Sequence, residues 1–253
     1  MRLKLVDVIL PNYNKGKYLE EAINSVLNQT YKSWKLYIID DHSNDNSNEV
    51  LEKFKKFENI FIQKLEKNKG PSFCRNLGIR LSTSELIAFL DSDDYWHEDK
   101  LSQQIKFMEK RNCKFSFTDY SSFYQTESKK KFIKETNLPN EFDLKKFSLN
   151  SSINTSTMIV SRLILKNIKF KKVKKLEDYL FKCEILKMNI NALKINSNLA
   201  SYRILKSSRS SEKLKNVFYL WIINKKFLKY NFFQNIFSIL SISFNSIKKY
   251  GLK

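Results

Sequence analysis

Leu86-Ile87-Ala88-Phe89-Leu90-Asp91-Ser92-Asp93-Asp94 sets a wholly apolar run directly against a cluster of carboxylates. A short run of this kind reads as a parallel strand buried on both faces. In open α/β sheets, ligands bind beyond the carboxyl ends of the strands, which is where Asp91, Asp93 and Asp94 fall. Carboxylates this close repel one another unless a cation shares them. Hard oxygen ligands suit Mg2+ or Mn2+, ions that complete their shell with substrate phosphates. The plainer reading is an Asp-rich turn capping a helix that begins near Glu98.

Working outward, the preceding chain alternates strand and helix patterns. Residues 6–10 read as a first strand ended by Pro11, and Leu19, Ala22, Ile23, Val26 and Leu27 then recur at helical spacing. Residues 36–39 form a second strand, stopped by Asp40-Asp41. A second helix carries Val50, Leu51, Phe54 and Phe57, and residues 60–62 form a third strand. Gly70-Pro71-Ser72 opens a third helix running to about Leu81, with Pro in its first turn. The pattern predicts an α/β fold with a mostly parallel sheet flanked by helices. Pro11-Asn12-Tyr13-Asn14, Asp40-Asp41-His42-Ser43 and the acids after Leu90 then share one sheet edge and one crevice. Taken singly, Tyr13 reads as ordinary packing and Asp40-Asp41 as a helix cap.

Beyond Arg111 the pattern loosens. Strands are expected over 115–120 and 157–160, a mobile polar loop over 129–140 and a helix over 178–187. Residues 217–249 are rich in Phe, Ile and Leu, with Lys pairs at 225–226 and 248–249. The uncharged span 230–247 only reaches the lower edge of membrane-spanning length and carries Asn, Gln and Ser, so no transmembrane helix is expected. A helical pair packed on the domain is the first reading. A basic amphipathic surface resting on an anionic membrane is the second. The expected organisation is a first part over 1–111, a second part of the same domain over 112–211, and a helical basic extension over 212–253.

The chain has 253 residues, 46 Lys plus Arg against 26 Asp plus Glu, and a formal charge of +20. That excess suits a polyanion or an anionic membrane. Abundant Lys, Asn, Ile and Phe with little Gly and Pro points instead to coding bias, which carries most of the weight. Cys74, Cys113 and Cys183 are far apart and show no metal-ligand spacing, as in a reducing compartment. The amino terminus lacks the apolar core of a signal peptide. Together these predict a cytoplasmic protein, peripheral at the inner face of the plasma membrane if the carboxyl-terminal helices touch lipid.

Val8-Ile9-Leu10-Pro11-Asn12-Tyr13-Asn14, Ser25-Val26-Leu27-Asn28-Gln29-Thr30-Tyr31 and Ile38-Ile39-Asp40-Asp41-His42-Ser43-Asn44-Asp45 together resemble glycosyltransferase family 2. Asn68-Lys69-Gly70-Pro71, Arg75-Asn76-Leu77-Gly78-Ile79 and Phe89-Leu90-Asp91-Ser92-Asp93-Asp94 continue the match across about the first hundred residues. The resemblance implies a GT-A type fold, a nucleotide-sugar donor and inverting transfer.

By position, it implies that Pro11 and Tyr13 line the base pocket and Asp41 accepts from a uracil-like N–H. Arg75 lies near the nucleotide and its phosphates, and Asp91 and Ser92 near the ribose. Asp93 reaches the metal, and Asp94 assists it or holds the loop. Leu176-Glu177-Asp178-Tyr179 resembles the family's acidic motif at a helix start, making Asp178 the implied base with Glu177 as runner-up; capping alone would favour the same residues. Ala200-Ser201-Tyr202-Arg203-Ile204-Leu205 departs from the family, placing Leu205 where relatives carry a His that supports the metal. Lys206 or Arg209 could compensate, and neither His42 nor His97 replaces that His. The implied reaction builds surface polysaccharide or glycolipid from a UDP-sugar with Mn2+ or Mg2+, onto a saccharide or lipid-linked saccharide. The alternative is a basic nucleic-acid- or membrane-surface-binding module on a non-catalytic scaffold. Against nucleic acid, no RNA-binding or helix-turn-helix signature is present, and the acidic crevice would repel phosphate without a metal. A sugar-phosphate nucleotidyltransferase would show an amino-terminal Gly-rich phosphate loop, which Pro11-Asn12-Tyr13-Asn14-Lys15-Gly16 lacks.

Overall fold

Val6, Val8, Ile9 and Leu10 are all fully buried, as a strand covered on both faces requires. They belong to β1 (Val6–Asn12), at the centre of the sheet in the computed structural model, which describes residues 4–126, 129–205 and 213–250. The first half runs α1 (Gly16–Leu27), β2 (Trp34–Asp40), α2 (Ser47–Glu52), β3 (Ile60–Lys64), α3 (Pro71–Leu81) and β4 (Leu86–Phe89). Strands β3, β2, β1 and β4 lie side by side and all parallel. After β3 the chain returns to the far side of β1, so the order reverses between β1 and β4. Their carboxyl ends flank the crevice that this reversal opens. The crossing is tight: a Cβ on Gly78 of α3 would stand 2.6 Å from Ile9 Cγ2, so no larger residue fits without displacing the central strand.

The second half completes a mixed sheet with β5 (Tyr95–Trp96), α4 (Lys100–Arg111), β6 (Phe115–Gln125), β7 (Lys130–Glu135), β8 (Glu141–Phe142), α5 (Leu144–Asn150), β9 (Ile159–Ser161), α6 (Glu177–Leu186) and β10 (Ala192–Arg203). The strand order is β3-β2-β1-β4-β9-β6-β10-β5, with β7 beside β6 and β8 beside β10. Short β9 is antiparallel to both β4 and β6, which restores the direction of β6 and β10 to that of the first four. Two helices follow, α7 (Lys213–Ile223) and α8 (Phe232–Tyr250), joined through a single π turn at Asn224–Leu228.

Two expectations are corrected. Pro11 does not end the first strand, which continues to Asn12. Ile9 O accepts from Leu90 N on the β4 side. By alternation Pro11 faces that same side, beyond the last paired residue, so its missing N–H costs no ladder bond. Residues 130–135, expected within a mobile loop, form β7 on β6. Phe132 anchors it against Phe123, with ring centroids 5.4 Å apart, and the surrounding lysines suit an outer strand.

Candidate active site

The crevice is built by locking strand ends to one another. The Asn12 amide, buried at the end of β1, donates to Asp40 Oδ1 at 2.7 Å, Ser47 Oγ at 3.0 Å and Ser43 Oγ at 3.2 Å. Asn14 turns left-handed (φ 51°), and its backbone N–H donates to Ser43 Oγ at 2.9 Å. Between them Tyr13 is 47 % exposed, a large ring held at the crevice with water on one side. Pro11 is half-buried beneath it. Asp41 is buried and accepts backbone N–H groups from Lys69 at 2.7 Å and Gly70 at 2.8 Å. It thereby fixes the left-handed Gly70 (φ 85°) that starts α3.

The acids after β4 divide between two tasks. Asp94 is buried; its Oδ2 accepts from Ser156 Oγ at 2.6 Å and its Oδ1 from the Arg203 backbone N–H at 3.0 Å. Both oxygens are thus engaged in holding the loop. Burial, then repulsion from Asp93 and Asp91, pushes its carboxyl well above the usual range. Asp93 points the other way, partly exposed, 3.0 Å from Lys15 Nζ. Burial raises its carboxyl, Lys15 opposes that rise and Asp91 adds to it. Ser156 also accepts from the Asp91 backbone N–H at 3.1 Å, and its carbonyl accepts from Trp96 Nε1 at 2.6 Å. Ser92 is buried within the same loop.

No group of three His, Cys, Asp or Glu side chains able to hold a metal occurs among the described residues. The donor set still fits a hard cation that takes most of its ligands from substrate and water. Asp93 offers a partly exposed carboxylate beside a second acid, and a cation binding there would displace the Lys15 ammonium from Oδ2.

On the opposite wall, Leu176 adopts a left-handed conformation (φ 62°) that aims Glu177 and Asp178 from the first turn of α6 back toward β4. Arg75 on α3 joins the two walls. Its Nη2 donates to Asp91 Oδ1 at 2.7 Å, and its Nη1 lies 3.6 Å from Glu177 Oε1. Burial works to lower the guanidinium pKa, but Asp91 and Glu177 outweigh it and hold the group firmly charged. Arg75 also faces the Phe170 ring at 5.3 Å. Asp178 Oδ2 lies 2.9 Å from Lys182 Nζ, one turn further along α6, and Lys182 also donates to Thr155 Oγ1 at 3.1 Å. Burial pushes the Asp178 carboxyl up, yet Lys182 and then Arg75 bring it down to about 2. With Lys182→Met the largest of these opposing charges goes, so the Asp178 carboxyl should titrate higher, as NMR of its side chain would read. A carboxyl titration unchanged in Lys182→Met would remove Lys182 from the control of Asp178.

Tyr13, Asp41 and the acids after Leu90, expected on one edge, follow β1, β2 and β4 there, and Asp178, implied by the resemblance alone, stands in the first turn of α6. Sequence reasoning misses Lys15, Ser156 and Lys182, which carry no motif of their own. Arg75, expected near the nucleotide and its phosphates, has its side chain buried between Asp91 and Glu177. Arg203, the arginine of the expected Tyr-Arg segment, lies under the acidic loop: its Nε donates to the Asp93 carbonyl at 2.8 Å, and its guanidinium pairs with Glu21. His97 meets Ser201 Oγ at 3.3 Å, away from the acids' side chains. Leu205 is half-buried, and Lys206 and Arg209 lie outside the described residues.

A sheet of this order, with acids after β4 at the switch point, has the GT-A architecture of nucleotide-sugar glycosyltransferases. Comparison with known proteins narrows the class to a family. Residues 7–168 match the family model of glycosyl transferase family 2, and the chain belongs to that family. TuaG of Bacillus subtilis, a glycosyltransferase named for teichuronic acid biosynthesis, is 32 % identical over 247 residues, 97 % of each chain. WfgD of Escherichia coli, named as a UDP-Glc:α-D-GlcNAc-diphosphoundecaprenol β-1,3-glucosyltransferase, is 34 % identical over 251 residues, covering 98 % of this chain and 95 % of its own length. Residues 1–349 of Staphylococcus aureus TarS in complex with UDP-GlcNAc share the fold, with TM-score 0.72 and 20 % identity over 96 % of this chain and 73 % of that one. So does the mannosyltransferase PcManGT of Pyrobaculum calidifontis in complex with GDP-Man and Mn2+, with TM-score 0.71 and 13 % identity over 100 % of this chain and 77 % of that one.

Proposed function

We propose that this glycosyltransferase inverts the anomeric centre of a UDP-sugar, depends on a divalent metal, and glycosylates a hydroxyl of a saccharide carried on lipid. The observation carrying this reading is Arg75, which ties Asp91 of the donor-side loop to the start of α6. Asp178 on α6 therefore faces the donor-side acids across a single crevice. Tyr13 offers a face for the base, Asp41 sets the loop beside it, and Asp91 and Ser92 sit toward the ribose. Asp178 accepts the proton of the acceptor hydroxyl as that oxygen bonds to the anomeric carbon. The bond from that carbon to the diphosphate breaks, and its electron pair leaves with the nucleoside diphosphate. A divalent cation held at Asp93 would supply electrostatic stabilisation of that departing charge. Asp94 and Arg203 keep Asp93 in place.

UDP as the nucleotide is supported by the names of WfgD and the TarS complex, and a metal by the Mn2+ of PcManGT. WfgD also supports a lipid-linked acceptor. The non-catalytic alternative loses its ground with membership of an enzyme family.

Calorimetry of UDP, GDP and their sugars, with and without Mn2+, tests the donor half. UDP should bind in a metal-dependent way, and Asp93→Ala should weaken that binding by about 100-fold. Nucleotide binding indifferent to both metal and substitution would sink the metal-dependent reading.

A further inference from the structure

In a water-soluble protein an amphipathic helix turns its apolar stripe inward and its polar stripe out. The carboxyl-terminal helix α8 departs from this: its inward face buries Asn235 and Ser238 beside the partly buried Ile239 and Ile242, while its largest apolar side chains stay outside. Asn235 is 1 % exposed and Ser238 0 %, yet Phe233, Phe237, Leu240 and Phe244 are 80, 62, 63 and 68 % exposed. The spacing of the four outer residues is helical, so they form one continuous stripe.

Polar contacts on that inward face join Ile239 and Ile242 in holding α8. Asn235 Nδ2 donates to the Trp221 carbonyl at 3.0 Å, and Ser238 Oγ to the Ser148 carbonyl of α5 at 2.6 Å. Asn224 in the π turn donates to both Asn235 and Ser238, and accepts from the Tyr179 hydroxyl of α6 at 3.0 Å. Asn245 Nδ2 reaches the Leu149 carbonyl at 3.1 Å. A hydrogen-bonded seam of this kind fixes the face of α8 that meets the domain, and it commits the phenylalanines to the outside. Leu214 and Phe218 of α7 are also exposed.

Charge selects the occupant. From Lys213 to the carboxyl end at Lys253 there are eight lysines and no acid. Lys225, Lys226 and Lys229, at and just after the turn between the two helices, are exposed. A second copy of this chain would bring a like-charged extension, and its own share of a net charge of +20, against that face. A bilayer of anionic phospholipid offers both an apolar phase for the rings and negative charge for the lysines. No helix among the described residues is long and apolar enough to cross a membrane, so the fitting arrangement is a helix lying in the interface.

We propose that the outer face of α8, flanked by the lysines of the α7–α8 turn, docks this enzyme on an anionic phospholipid surface. The inference stands on the exposed apolar stripe of α8 and the charge, without using the donor chemistry. It gives a lipid-linked acceptor a reason to be within reach.

The test is co-sedimentation of the full chain with phosphatidylcholine vesicles, with and without phosphatidylglycerol. Wild type should sediment with the anionic vesicles. Phe233→Ser/Phe237→Ser/Phe244→Ser should reduce partitioning by about 100-fold or more. Lys225→Gln/Lys226→Gln/Lys229→Gln should reduce it by about ten-fold or more on anionic vesicles only, as should added salt. Circular dichroism and UDP calorimetry on each variant establish folding and donor binding apart from docking. Wild type left in the supernatant with phosphatidylglycerol vesicles would overturn the proposal. So would a dimer in sedimentation velocity that the Phe substitutions dissolve while vesicle binding is absent, because a second copy would then cover the face.

Discussion

Asp178→Asn is expected to lower kcat by about two to four orders of magnitude while leaving UDP binding in place. The substitution keeps the size of the side chain and an oxygen for Lys182, so the helix start should hold its geometry. What it removes is the ability to take a proton. A carboxyl held at about 2 is a weak base in the ground state, although wholly ionised at neutral pH. Weak basicity suits a late transfer, when the acceptor oxygen is already bonding to the anomeric carbon and its proton has become acidic. Lys182 and Thr155 fix which oxygen of Asp178 is engaged by protein, since both contact Oδ2. Glu177→Gln serves as the comparison, because Glu177 is buried against Arg75 and should act by positioning. It should alter stability and KM more than the proton-transfer step. If Asp178→Asn retained wild-type kcat with saturating donor and acceptor, the base would have to be another group.

The alternation of apolar runs makes the first four strands legible, because a strand buried on both faces has almost no freedom in composition. Acids at strand ends are legible for the complementary reason: they interrupt such a run abruptly. Their division of labour is not. Asp93 and Asp94 are neighbours in sequence, yet Asp94 is claimed by Ser156 and Arg203 while Asp93 meets Lys15. Those partners come from distant segments, and only the sheet brings them together. Strand β7 is hidden because an outer strand tolerates lysines that read as loop. The period of α8 is plain in the sequence, but the side that faces inward is set by Ser148, Leu149 and Trp221, none of which is local to its stripe. An amphipathic pattern gives the angle between two faces and leaves their orientation to the partner.

Arg75→Met is expected to destabilise the fold by about 3 kcal/mol, the cost of leaving the buried Glu177 carboxylate without its countercharge, with a smaller share from the partly exposed Asp91. The guanidinium is only 7 % exposed, so solvent cannot take its place. Glu177 is similarly enclosed, at 9 %. Replacing both partners of a buried pair by neutral groups is far cheaper than removing one, because the penalty lies in the uncompensated charge. Arg75→Met/Glu177→Gln should therefore recover part of the loss in urea unfolding, with Asp91 keeping partial access to water. Arg75→Lys tests geometry separately from charge. An ammonium can meet one acid, but its compact head cannot span Asp91 and Glu177 as the fork of arginine does. The lysine variant should thus fold more stably than the methionine variant and still lose activity, because the donor-side loop and the start of α6 would no longer be held at one separation. Should Arg75→Met unfold within about 1 kcal/mol of wild type, the arginine would not be neutralising these acids, and the link between the two walls of the crevice would lie elsewhere.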